Sequence, residues 1–400
     1  MATDGPYRVM LVDDSAVVRG LVTRWMQEDP EIEVVASVGN GAVAVREIGR
    51  TDIEVIVLDV EMPEMDGLTA LPKILAAQPD VKVIMASTLT MRNADISLKA
   101  LQAGAADYIA KPSAMRDQST VQEFQRDLLA RVKTLGAVGR RAARRRAGLP
   151  EGGSTAKAQP APNAVPAASR PGTAGASAGV AAGAAAPTTS KSLYAGPIVL
   201  RNAAILPPKV LAIGSSTGGP QALFQVFGQL KNKIRIPILI TQHMPPTFTT
   251  ILAEHLTRIA GANASEAVDG EPVEGGRIYI APGNWHMTVQ VDAGNKKIIR
   301  LNQDPPENFC RPAVDPMLRS LAKAYGGSVL AVILTGMGAD GMKGGQVLTE
   351  AGGTMIAQDE ATSVVWGMPG AVASHGLCSA VLPLDRIASH IEKLTQGAVP

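Results

Sequence analysis

Aspartates, a hydroxyl and a lysine recur where apolar runs stop in the first third of the chain. YRVMLVDD ends in Asp13 and Asp14, IEVIVLDV carries Asp59, VKVIMAST carries Ser87, and ADYIAKP ends in Lys111 and Pro112. Carboxylates converging on one edge repel each other unless a hard cation sits among them, and an oxygen-rich set that keeps waters suits magnesium. A lysine and a hydroxyl then complete a pocket of phosphoryl size, in which one carboxylate can act as nucleophile and become an aspartyl phosphate. Taken singly, each aspartate is explained as a helix cap after a strand. Taken together, they read as a site.

A second constellation begins at VLAIGSSTGGPQAL, residues 210–223. Its apolar run stops at Gly214, small and hydroxylic residues follow, and Pro220 stands where proline opens a helix. Such a turn offers unpaired N–H groups and a positive dipole end, suited to a phosphate or to a nucleophile beside an oxyanion hole. Gly214-Ser215-Ser216-Thr217-Gly218 satisfies G-x-S-x-G, which thrusts Ser216 out of a strand-to-helix elbow. Neither G-x-G-x-x-G nor a P-loop lysine is present. A dinucleotide site also lacks its acid, since Gln242 and His243 stand where that acid is expected.

A nucleophilic serine needs a base. Of five histidines, only His243, in ITQHMPP, directly follows a central apolar strand. It is expected to be neutral at rest. The base needs an orienting carboxylate, and SVLAVILTG leads into a glycine-rich turn carrying Asp340, with Asp359 as the runner-up. The chain order Ser, His, Asp differs from the Ser, Asp, His order of α/β-hydrolases.

These residues need scaffolds, and 400 residues allow two or three domains. Apolar content of 46% with 3% aromatic points to cores of Ala, Val, Ile and Leu. A net charge of +2 demands neither nucleic acid nor an acidic surface as partner. Cys310 and Cys378 form no metal or disulfide pattern, which suits a reducing cytoplasm, and no apolar run is long enough to insert in a membrane. Residues 1–138 alternate five strands with helical patterns, as in a doubly wound parallel sheet. Their last helix is expected to end near Leu135. Residues 139–207, opening with GRRAARRRAG, are rich in Ala, Pro and Gly and read as a disordered linker, with the arginines as a solvated helix end. About 60 such residues span roughly 40 Å. Residues 208–396 read as a second, mostly parallel α/β sheet with an antiparallel hairpin turning at Gly294-Asn295.

The first domain resembles a response-regulator receiver domain in DDSAVVR, VLDVEMPEMDG, ASTLT and AADYIAKP. The likeness implies a flavodoxin-like sheet of order 2-1-3-4-5. Asp59 would be the phosphoacceptor, Asp14 a magnesium ligand supported by Asp13, and the Glu61 backbone a further ligand. Ser87 and Tyr108 would move on phosphorylation, with Lys111 the cation on the phosphoryl group. The second domain resembles the chemotaxis protein-glutamate methylesterases, a Rossmann-like fold, in AIGSSTGGPQAL, ITQHMPPTFT, YIAPGNWHM, CRPAVDPML and ILTGMGADGMKGG. An N-terminal receiver is that family's own layout. The resemblance implies a Ser216, His243 and Asp340 triad, supported by Thr217 and by the Met337 N–H in the oxyanion hole. It implies hydrolysis of glutamate methyl esters and deamidation of glutamines on chemoreceptors, with no cofactor for that reaction and a histidine kinase as phosphodonor. It further implies that the unphosphorylated receiver blocks the catalytic edge, a block that a long tether would weaken. Two alternatives stay open: an output domain that only binds a partner, and a transcriptional regulator using the arginine run, which would bind DNA in a salt-sensitive way.

Overall fold

Strand and helix alternate through the described residues of the computed structural model, which are 5–112, 118–148, 198–204, 206–231 and 233–396. The first unit runs β1 (Tyr7–Val12), α1 (Ala16–Gln27), β2 (Ile32–Val38), α2 (Gly41–Glu47), β3 (Val55–Asp59), α3 (Gly67–Ala77), β4 (Lys82–Thr88), α4 (Met91–Gln102), β5 (Asp107–Lys111) and α5 (Gln118–Arg146). All strand pairs are parallel, in the order β2-β1-β3-β4-β5. Residues of β3 are buried throughout, as a strand covered on both faces requires. Side chains of Ser15, Asn40, Asp66 and Thr90 cap the helices that follow the strands.

Helix α5 does not stop near Leu135. Gly136 resembles a helix terminator in the sequence, yet a Cβ there would lie 2.6 Å from the Tyr7 ring, so its absence lets the helix pass over β1 and continue. The arginine run is therefore helical and engaged. Arg140 bonds Glu54 (2.7 Å) and covers the Tyr7 ring (4.5 Å), Arg141 meets Glu360 (3.4 Å), and Arg146 meets Asp80 (3.2 Å). At its far end the expected linker is also shortened, because the Arg201 and Ala204 amides donate to Cys378 O and Thr354 Oγ1 of the second unit (2.8 Å each). The rest of that linker, residues 149–197, lies outside the described residues.

The second unit runs β6 (Val210–Ser215), α6 (Gly219–Gln229), β7 (Ile238–Gln242), α7 (Phe248–Ala260), β8 (Ala264–Glu266), β9 (Ile278–Ile280), β10 (His286–Val291), β11 (Lys297–Asn302), α8 (Val314–Tyr325), β12 (Val329–Ile333), α9 (Met342–Glu350), β13 (Thr354–Gln358), α10 (Met368–Ser374), β14 (Ala380–Leu382) and α11 (Leu384–Thr395). The seven-stranded sheet has the order β14-β13-β12-β6-β7-β9-β8, parallel throughout, and β10 and β11 form the expected antiparallel hairpin. The chain starts at β6, builds outward through β7, then returns to β12 on the other side. Crevices in such sheets open at that reversal, beyond the carboxyl ends of the strands.

The first unit docks on that edge. Tyr108 stacks on Phe248 (centroids 4.5 Å apart, planes 11° apart), His255 of α7 bonds Asp95 of α4 (2.9 Å), and Gln221 of α6 donates to Ala105 O (2.8 Å). Among the described residues, no helix is long and apolar enough to cross a membrane.

Candidate active site

Ser216 leaves the end of β6 and His243 the end of β7, where Ser215 pairs with Gln242 and the His243 amide donates to Ser215 O (3.1 Å). Neighbouring strand ends thus carry the two residues side by side. Gln242 fixes the elbow from beneath: its Oε1 accepts from Ser215 Oγ (2.6 Å) and its Nε2 donates to Ser216 O (2.9 Å). Gly218 takes φ 77°, a left-handed turn that glycine adopts without strain, and opens α6. Ser216 itself is 8% exposed.

His243 Nε2 lies 2.7 Å from Asp340 Oδ2, both side chains being buried. With Nε2 facing the carboxylate, Nδ1 is the ring nitrogen left for proton transfer at the serine. Asp340 stands beyond β12 and also accepts from the amides of Val314 (2.6 Å), Asp315 (3.0 Å) and Gly341 (2.9 Å) and from Asn308 Nδ2 (3.0 Å). Burial opposes its charge, but the bond from His243 and those amides hold it below the usual carboxylate range. Two of the donors open α8, so a helix N-terminus faces the carboxylate. Asp359 makes no such contact. Its carboxylate accepts from the Thr362 amide and hydroxyl (3.0 and 2.6 Å), which closes a surface turn.

The surroundings of His243 favour its protonated form, the opposite direction to the neutral resting base expected from the sequence. Burial disfavours the cation, but the nearby Cys310 sulfur and Asp340 outweigh it and push His243 up to about 10. That carboxylate partner was legible in the sequence; Cys310, from a distant loop, was not.

Oxyanion donors are at hand. Ser216's own amide is spent on Thr335 O (3.1 Å), but among the described residues no acceptor takes the amides of Thr217 or Met337. Gly336, just before Met337, lies against the Ser216 backbone. The Thr217 hydroxyl donates across the domain boundary to Asp107 Oδ2 (2.8 Å), a carboxylate of β5 paired with Arg131, and Thr134 of α5 reaches Met337 Sδ (3.4 Å). Asp315 is a further residue that sequence reasoning missed within CRPAVDPML. Wholly buried, it accepts from the Gly341 and Gly344 amides (3.0 and 2.6 Å) and from Asn308 (3.0 Å). It fixes the start of α9 against the start of α8, and so the turn carrying Asp340.

On the other sheet, Asp13, Asp14 and Asp59 place carboxylate oxygens within 4.8 Å of one another. Lys111 Nζ reaches Asp13 (2.6 Å) and Asp59 (2.8 Å). Burial pushes Asp59 up to about 6 although Lys111 pulls the other way, with Asp13 adding repulsion. Such a set favours a divalent cation, and exposed Asp14 leaves it open to solvent. The Glu61 side chain points to Asn93 (3.5 Å). Ser87 Oγ bonds Ser97 of α4 (3.0 Å), and Tyr108 is the ring on Phe248.

A receiver-type sheet docked over an α/β sheet bearing a serine, a histidine and an aspartate defines a response regulator with a hydrolase-like output domain. The chain matches the CheB methylesterase family model over residues 211–391 and the response regulator receiver domain model over residues 9–121. Protein-glutamate methylesterase/protein-glutamine glutaminase 1 of Rhodospirillum rubrum is 57% identical over 97% of this chain and 95% of its own length, and its namesake in Paramagnetospirillum magneticum is 56% identical over 98% and 99%. The solved catalytic domain of Thermotoga maritima CheB methylesterase is 42% identical, covering 47% of this chain and 100% of that one, with a TM-score of 0.46. The chain belongs to the CheB family of protein-glutamate methylesterases/protein-glutamine glutaminases.

Proposed function

We infer that this chain is a phosphorylation-controlled hydrolase that removes methyl esters from receptor glutamates, releasing methanol, and deamidates receptor glutamines. The observation that carries the reading is the buried His243–Asp340 pair beside Ser216 at the reversal point of the sheet. Ser216 Oγ attacks the ester or amide carbonyl while His243 Nδ1 takes its proton. Asp340 keeps the ring oriented and stabilises the imidazolium. The Thr217 and Met337 amides receive the oxyanion of the tetrahedral intermediate. His243 returns the proton to the departing methanol or ammonia, and water then hydrolyses the acyl-serine by the same steps.

In this reading residues 1–138, with the continuation of α5 to Arg146, form the receiver and 208–396 the catalytic domain, to which Arg201 and Ala204 are bonded. Asp59 accepts a phosphoryl group from a histidine kinase. Asp13, Asp14 and Asp59, with the Glu61 carbonyl, would hold Mg2+, and the ion would supply charge neutralisation for that transfer. Lys111 steadies the phosphoryl group, and Ser87 and Tyr108 relay its arrival. Because the Tyr108 ring stacks on Phe248, movement there loosens the docking that covers Ser216. The substrate is a membrane-bound chemoreceptor, met from the cytoplasm by a protein that itself inserts in no membrane and binds no nucleic acid.

Methanol release from methylated receptor membranes tests this, comparing wild type with Ser216→Ala, each with and without a small phosphodonor. Wild type is expected to release methanol faster with the phosphodonor, and Ser216→Ala to release none. Methanol from Ser216→Ala at the wild-type rate would remove the serine mechanism.

A further inference from the structure

Phe309 is 84% exposed, although it stands one residue from the carboxylate network of the site. Glu307 and Cys310 form an antiparallel bridge with amide bonds in both directions (3.1 and 2.9 Å), and the two residues between them take left-handed φ of 52° and 63°. That is a two-residue turn of type I′, in which asparagine suits the first central position and glycine the second. Asn308 conforms, but Phe309 puts a bulky side chain at positive φ. Its strain is not offset by burial, so folding alone gives no reason for the ring to be there.

The turn is rigidly tied to the chemistry. Asn308 Nδ2 donates to both Asp340 and Asp315 (3.0 Å each). Arg311 Nη2 holds Asn284 Oδ1 (2.7 Å), and the Asn284 amide holds Arg311 O (3.1 Å), which brings Trp285, 39% exposed, onto the same rim. In the docked state Arg126 of α5 sits 5.0 Å from the centre of the Phe309 ring. The receiver therefore touches one face of this ring and leaves the rest exposed, and an incoming partner using that face would replace the contact.

We propose that Phe309, with Trp285 beside it, is the substrate-docking rim: it takes an apolar side chain of the receptor segment that flanks the methylated glutamate. This rests on the function proposed above. An aromatic surface tied through Asn308 to Asp340 favours a neutral ester or amide over the carboxylate product, so the rim aids both capture and release. Arg126 lies over one face of the Phe309 ring when the receiver is docked and leaves most of it open.

Methanol release at saturating phosphodonor and varied receptor concentration provides the test. Phe309→Gly is the informative variant, because glycine relieves the left-handed strain and the protein is expected to melt no lower than wild type. KM for the receptor should rise at least about five-fold with kcat within about two-fold, and Phe309→Tyr should restore KM. An unchanged KM in Phe309→Gly overturns the proposal, as does a fall in kcat alone, which would mean that the turn acts only through Asn308 on Asp340. If wild type releases no methanol, the functional reading fails instead. Co-sedimentation of Ser216→Ala with receptor membranes, with and without Phe309→Gly, then decides docking separately: equal binding overturns it and weaker binding supports it.

Discussion

Two parallel sheets in this molecule carry their chemistry at the same place, the carboxyl ends of their strands, and treat carboxylates in opposite ways. On the receiver edge Asp13, Asp14 and Asp59 crowd one another with one lysine between them, and burial holds Asp59 up at about 6. On the catalytic edge Asp340 is surrounded by a histidine, an asparagine side chain and three amides, and is held low. An under-neutralised cluster is built to receive charge, as cation and phosphoryl group. A saturated carboxylate is built to stay still. What differs is the donors that loops bring to each strand end, which is why one architecture supports both switching and hydrolysis.

The contrast is broken most severely by Asp340→Asn. Such a change leaves the amides in place but removes the charge that orients His243, and kcat in methanol release should fall by about 10³- to 10⁴-fold. Asp59→Asn is expected to abolish acceleration by a small phosphodonor, read as the ratio of stimulated to unstimulated rates. A smaller effect follows from Asp107→Asn, which weakens the bond to Thr217 while Arg131 keeps Asp127 (3.0 Å) as partner: the unphosphorylated rate should rise several-fold, by less docking energy than one charged hydrogen bond supplies. Cys310→Ala sharpens the comparison without breaking it. A base works in its neutral form, present above its pKa, so a His243 held up near 10 confines unphosphorylated activity to high pH. Removing the sulfur takes away one cause of that rise, and the acidic limb of the pH-rate profile should move to lower pH. An unmoved limb would show that Cys310 has no hold on the ring.

Much of this was legible in the sequence because parallel strands buried on both faces are written as continuous apolar runs, VLAIGS and VLAVI among them. Whatever ends such a run lies on the chemical edge, so Ser216, His243, Asp340 and Asp59 could all be placed. Strand β8 escaped notice because ASE has no apolar run and pairs only at the sheet margin. The continuation of α5 was hidden by Gly136, whose reason is the Tyr7 ring, far off in sequence. Asp315 and Cys310 share that difficulty: their partners, Gly344 and His243, are defined by loops meeting in space. The upward push on His243 likewise comes in part from a neighbour that spacing could not reveal.

Helix α5 has 29 residues and is therefore about 43 Å long. Along that length it belongs to the receiver, yet Arg126, Thr134 and Arg141 touch the catalytic domain at Phe309, Met337 and Glu360. A single stiff rod bolted at three points to the other body cannot release them one by one without bending. The uncovering of Ser216 should accordingly be cooperative, a latch that is open or shut rather than a valve, and intermediate degrees of phosphorylation would set how many molecules are open rather than how far each one opens.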